Sequence, residues 1–153
     1  MGSRREGREI CLQSLYLWDN CSITPEEAWI TAISAPITNG DETQEKAKPK
    51  RRPMPDAETV EFAKTLWEGI LGNREKIDGI IQNYCHNWKL DRMSAVDRNI
   101  LRIGAFEIIG MPQIPINVTI NEAVEIAKSY STDESGRFVN GILDKIKQER
   151  KPA

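Results

Sequence analysis

Catalysis needs reactive side chains within reach of one another, and this chain offers few. His86 is the only histidine and follows Cys85 directly. Side chains adjacent on a helix point about 100° apart, so the two make a poor thiolate–imidazole couple. The spacing favours a small core thiol beside a polar histidine at a surface or edge. The acidic pairs Glu26-Glu27 and Glu122 with Glu125 are candidates for proton transfer or metal binding. Acids are ordinary at helix starts, however, and an i,i+3 pair without a histidine or a matching set reads as a solvated face. Neither GxGxxG nor GxxxxGK occurs, so no glycine loop is laid out to cradle phosphate. Cys11, Cys21 and Cys85 are odd in number and lack CxxC or zinc-like spacing, which fits reduced thiols in a cytoplasmic protein. We expect no catalytic residue, no metal and no cofactor.

Binding chemistry is better represented. The net charge is −2, so nucleic acid would have to be held by locally concentrated cations. Two clusters qualify: Arg4, Arg5 and Arg8 at the start, and Lys46, Lys48, Lys50, Arg51 and Arg52 further on. Guanidinium groups at the start of a helix can fork onto phosphates or stack on unpaired bases. A solvated basic terminus is the competing reading of the first cluster, and a solubilising loop that of the second. Arg137 beside Phe138 poses the same choice between gripping an RNA strand and packing in a core.

These residues must be positioned by helices. From Arg4 to about Asn20, Cys11, Leu15 and Trp18 form one apolar stripe, with Leu12 and Tyr16 beside it. Thr24-Pro25-Glu26-Glu27 starts a short second helix that ends before Pro36. Residues 36–55 are polar, charged, Pro or Gly and are expected to form a mobile basic loop. Asp56 caps a third helix through Gly72, and Asn73 a fourth that carries Ile77, Ile80, Ile81, Tyr84 and Trp88. Ser94 with Asp97 opens a central helix that is apolar nearly all round and stops at Gly110-Met111-Pro112. Stripes through Ile120, Ala123, Val124 and Ala127, and after a polar turn at 131–135 through Phe138, Val139, Ile142, Leu143 and Ile146, complete the set.

About seven helices with mostly short connections imply an all-α bundle. The expected organisation is a single domain over 1–153, with an N-terminal half (1–88) and a C-terminal half (89–150). No run of about 18 apolar residues is present, so no membrane span is expected. After Met1-Gly2, Glu6 stands where a myristoylation motif wants Ser or Thr.

Three segments are more specific than any periodicity. Arg4-Arg5-Glu6-Gly7-Arg8-Glu9-Ile10-Cys11-Leu12-Gln13-Ser14-Leu15-Tyr16 resembles the opening of the NusB family, an arginine-rich run passing into R-E-x-x-x-Q-x-L-Y. Residues 118–128 and 137–145 resemble that family's I-N-E-A-V-E-x-A-K and K-F-V-N-G-x-L-D-K signatures. Asp97-Arg98-Asn99-Ile100-Leu101-Arg102 is similar to its D/E-x-x-x-L-R segment. The match leaves out 36–55, which is longer and more basic than the usual family connection.

The resemblance implies two perpendicular helical bundles. It also implies a partner, the small-subunit ribosomal protein NusE, with which NusB proteins bind single-stranded boxA RNA. That assembly joins the RNA polymerase antitermination complex and promotes read-through, notably of ribosomal RNA operons. By position, Arg4, Arg5 and Arg8 match the family's RNA-binding start, with Glu6 replacing an arginine often found there. Arg137 and Phe138 match an RNA-facing pair, and Tyr16 and Asp97 match positions near the NusE interface. Two rivals stand beside this reading. One is the NusB-like domain of ribosomal RNA cytosine methyltransferases, which needs a further S-adenosylmethionine domain; the other is a helical homodimer that binds no RNA.

Overall fold

The computed structural model describes residues 4–34, 55–85 and 89–150. Among them are seven α-helices and no strand: α1 (Arg4–Asn20), α2 (Pro25–Ser34), α3 (Ala57–Gly72), α4 (Arg74–Tyr84), α5 (Ala95–Gly110), α6 (Ile116–Tyr130) and α7 (Asp133–Ile146). Short 3₁₀ turns occupy Leu90–Arg92 and Lys147–Glu149. The expected all-α fold is therefore present. Of the segment read as a mobile loop, only Pro55 lies within the described residues; His86 and Trp88 lie outside them.

Helix starts follow from side chains that satisfy orphan backbone N–H groups. Thr24 Oγ1 accepts from Glu27 N at 3.1 Å, Asp56 Oδ1 from Thr59 N at 2.8 Å, and Ser94 Oγ from Asp97 N at 3.1 Å. Asn73 behaves differently from its expected capping role. Its side chain donates back to Gly69 O at 2.8 Å, so it closes α3 and leaves α4 without a side-chain cap. The polar turn before α7 is also shorter than the sequence suggests. Thr132 Oγ1 accepts from Ser135 N, so α7 already begins at Asp133 with acids in its first turn, where the helix dipole favours them.

Central position belongs to α5, which packs against α1, α3, α4, α6 and α7. Its Ile100, Leu101, Ile103, Ala105, Phe106 and Ile108 are buried in one continuous core with Leu12, Leu15, Leu66, Ile70, Ile81 and Leu143. Burying a side chain of this size stabilises by about 1.5–3 kcal/mol, which makes the apolar α5 the main organiser. Around it, α1 packs on α2 and α3, and α6 pairs with α7. α4 contacts α5 and α7 more than α3.

Candidate nucleic-acid interface

Basic residues at the start of α1 meet three different environments. Arg4 is exposed, with its guanidinium 5.0 Å from the Phe62 ring centroid on α3. Arg5 is half-exposed and donates from Nε to Glu122 Oε2 on α6 at 2.5 Å. Arg8 is only 2% exposed. Its Nε and terminal nitrogen donate to Glu107 Oε2 and Oε1 at 2.8 and 2.7 Å, a bidentate pair inside the protein. Thr119 Oγ1 donates to the same Glu107 at 2.9 Å, and Arg8 also lies over Phe62 at 5.3 Å.

Arg8 thus corrects the expectation of three surface arginines. It lies one turn beyond Arg4 on the same helical face, where α5 covers it and a phosphate has no access. Arg4 and Arg5 keep exposed surface, whereas Arg8 anchors the helix that carries them.

Close approach of α1 to α3 depends on Gly7. A Cβ there would sit 2.8 Å from Phe62 Cδ1 and 3.2 Å from the Thr59 carbonyl oxygen. Gly7→Ala is expected to cost about 1–3 kcal/mol through this overpacking. Urea denaturation checks it, and a variant as stable as the parent would show that the α1–α3 contact gives way freely.

From Arg5 the surface continues along α6. Arg5 meets Glu122, and eight residues on Gln13 Nε2 reaches Tyr130 Oη at 3.4 Å, so the two helices run side by side in the same direction for about 12 Å. Beyond Tyr130 comes a hydroxyl cluster in which Ser131 and Ser135 lie 2.9 Å apart. Ser135 Oγ also donates to Asp97 Oδ2 at 3.4 Å. A cavity of about 370 Å³ opens here, lined by Arg92, Asp97, Thr132, Glu134, Ser135 and Phe138. Among the described residues, nothing hydrogen-bonds to the buried Asp97 Oδ1. Phe138 packs partly against the core while lining the cavity, and its neighbour Arg137 is exposed. Tyr16, 44% exposed, lies one turn past Gln13 on α1.

One turn further, Asp19 joins α1 to α5. It accepts from Arg98 at 2.6 Å and lies 3.4 Å from Arg102, which itself donates to Asp78 at 2.8 Å. Burial acts to raise the Asp19 carboxyl, but the bond and charge of Arg98, the charge of Arg102 and a bond from Asn99 outweigh it and hold the group below its ordinary value. A folded value below the unfolded one stabilises the protein above the unfolded value, and that stabilisation is lost as pH falls through the folded one. Asp19→Asn should therefore flatten the fall of the urea midpoint between about pH 5 and pH 2. An acid profile identical to the parent's would remove Asp19 from the acid response.

The sequence profile of the NusB family matches residues 5–148. The chain belongs to the NusB family. A transcription antitermination protein NusB from Myxococcus xanthus is 45% identical over 146 residues, covering 95% of each chain. Its counterpart from Bacillus licheniformis is 42% identical, covering 95% of this chain and 97% of the relative. Among solved structures, T. maritima NusB superposes with a TM-score of 0.79 at 36% identity, covering 99% of this chain and 96% of that one. A crystal structure of antitermination factors NusB and NusE in complex with dsRNA contains a similar chain, with TM-score 0.74 and 28% identity over 95% and 96% of the two chains.

Within this NusB-family chain, sequence reasoning missed Phe62, Glu107 and Glu122 as partners of the arginines. Glu107 did carry a signal, as the carboxylate that stands beyond the first turn of a helix apolar nearly all round. Among the described residues, no group of three His, Cys, Asp or Glu side chains could hold a metal. Cys11 and Cys85 are buried and Cys21 is exposed, all as free thiols. Burial, with Glu107 nearby, pushes the Cys11 thiol well up. Among the described residues, no helix is long and apolar enough to cross a membrane.

Proposed function

We propose that this chain is a transcription antitermination factor that binds boxA RNA as a heterodimer with NusE and promotes read-through, notably of ribosomal RNA operons. It works by binding, not by catalysis. The reading rests most heavily on the full-length likeness to a NusB chain solved with NusE and RNA. On this reading Arg4, Arg5, Arg137 and Phe138 face the RNA, Arg8 holds α1 in place, and Tyr16 and Asp97 lie toward NusE. Phe138 supplies a ring for an unpaired base, and exposed guanidinium groups supply phosphate contacts.

A net-acidic chain with few exposed cations at its site should bind RNA weakly alone, because few phosphate contacts release few counterions. NusE adds surface and charge, so binding is expected to be cooperative. The test is size-exclusion chromatography and fluorescence anisotropy with NusE and a short single-stranded boxA RNA, against a scrambled strand and a duplex of the same sequence. A ternary complex that prefers the boxA strand is the expected result. Failure to bind RNA with NusE present would discard the proposal, and a protein that only self-associates would favour the homodimer.

A further inference from the structure

Arg5 and Arg4 differ in what they already hold. Arg4 lies over an aromatic ring, whereas Arg5 Nε is engaged by Glu122 Oε2 at 2.5 Å, with side chains 48% and 23% exposed. Glu122 comes first among the groups that hold the Arg5 proton more tightly, and Glu125 and Glu9 add to the same negative field. We propose that Glu122 sets the RNA affinity of this surface by competing with a phosphate for the Arg5 guanidinium. The inference rests on the RNA-binding reading above and assigns to it a residue that opposes binding.

Two features favour competition over mere positioning. An exposed pair is worth little to the fold, so releasing Arg5 from Glu122 is cheap. A phosphate arriving at Arg5 would nevertheless come within a few ångströms of a carboxylate that is only partly screened by water, and like charges at that range repel. Free protein thus holds Arg5 in a neutralised pair, and RNA must displace the carboxylate or tolerate it. Gln at 122 keeps an oxygen that can accept from Arg5, so the arginine's orientation survives while the competing charge disappears.

The experiment compares Glu122→Gln, Arg5→Ala and the double variant, each bound to NusE, by anisotropy on a single-stranded boxA RNA across a salt series. Circular dichroism checks that each variant is folded. Glu122→Gln should tighten binding about two- to fivefold at low salt, with a gain that shrinks as salt screens the carboxylate, because Arg5 keeps the one phosphate contact it makes in the parent. Arg5→Ala should weaken binding, and most of the gain should vanish in the double variant. An equal gain without Arg5 would mean that Glu122 acts as a general repulsive charge and overturns the competition. Unchanged or weaker binding by Glu122→Gln, with Arg5→Ala still harmful, overturns this inference alone. Parental affinity in Arg5→Ala overturns it together with the RNA-facing role of the α1 start.

Discussion

Glu107→Gln is expected to destabilise the protein by about 3–5 kcal/mol, because it strands the buried Arg8 cation without its counter-charge. Arg8 and Glu107 are 2% and 1% exposed and joined by two bonds of 2.8 and 2.7 Å. Water cannot reach in to replace the lost partner. Thr119 would also trade a carboxylate acceptor for a neutral amide, and charge-assisted bonds are the stronger kind. For a chain of this size the loss corresponds to a fall in melting temperature of roughly 2–4 °C per kcal/mol. The control is Arg8→Met with Glu107→Leu, since replacing both members of a buried pair by apolar residues is often close to neutral. Thermal melts of the three proteins decide the matter. A Glu107→Gln variant within about 0.5 kcal/mol of the parent, the ordinary range for surface substitutions, would show that Arg8 escapes to solvent. Arg8 would then return to the set of residues able to touch RNA.

That pair also shows what the sequence reveals and what it hides. Local signals were legible: Thr24, Asp56 and Ser94 sit where capping chemistry requires, and each accepts from the backbone N–H three residues on. The apolar face of α5 was legible because burial on nearly every side leaves its mark on composition. Asn73 misled because its side chain has two backbone directions to choose from, and spacing alone does not say that it turns back to Gly69. The three arginines looked alike because a helix start is exposed in isolation. Whether a guanidinium meets water or Glu107 depends on a residue 99 positions away. Resemblance to the NusB family singles out this stretch of chain, yet only packing separates its anchoring arginine from its exposed ones. Asp97 and Phe138 are a similar case, given to different partners by resemblance and placed by the fold on one cavity.

Because Arg8 is buried against Glu107, the proposed RNA site is best tested with Arg4→Ala and Arg5→Ala combined, leaving the anchor in place. Each arginine is expected to contact one phosphate. Hydrogen bonds to charged groups are worth about 1.5–3 kcal/mol, so losing both should weaken boxA binding with NusE by about a hundredfold or more. The salt dependence of log K should flatten by about 1.4, two contacts on a single strand. Phe138→Ala should behave differently. Stacking on one base is worth about 1–3 kcal/mol and releases no counterions, so affinity should fall while the salt slope stays near the parent's. Phe138 also packs against the core, and the comparison holds only if the variant keeps its native circular dichroism and chromatographic volume. Phe138→Leu, which retains apolar packing without a ring, separates the two contributions: it should restore stability and leave RNA binding impaired. The two substitution sets then give orthogonal signatures in one titration, one in slope and one in intercept. Unchanged affinity in the double arginine variant would discard the α1 start as a phosphate site. A Phe138→Leu variant with full affinity would move base stacking elsewhere and leave Phe138 as part of the core.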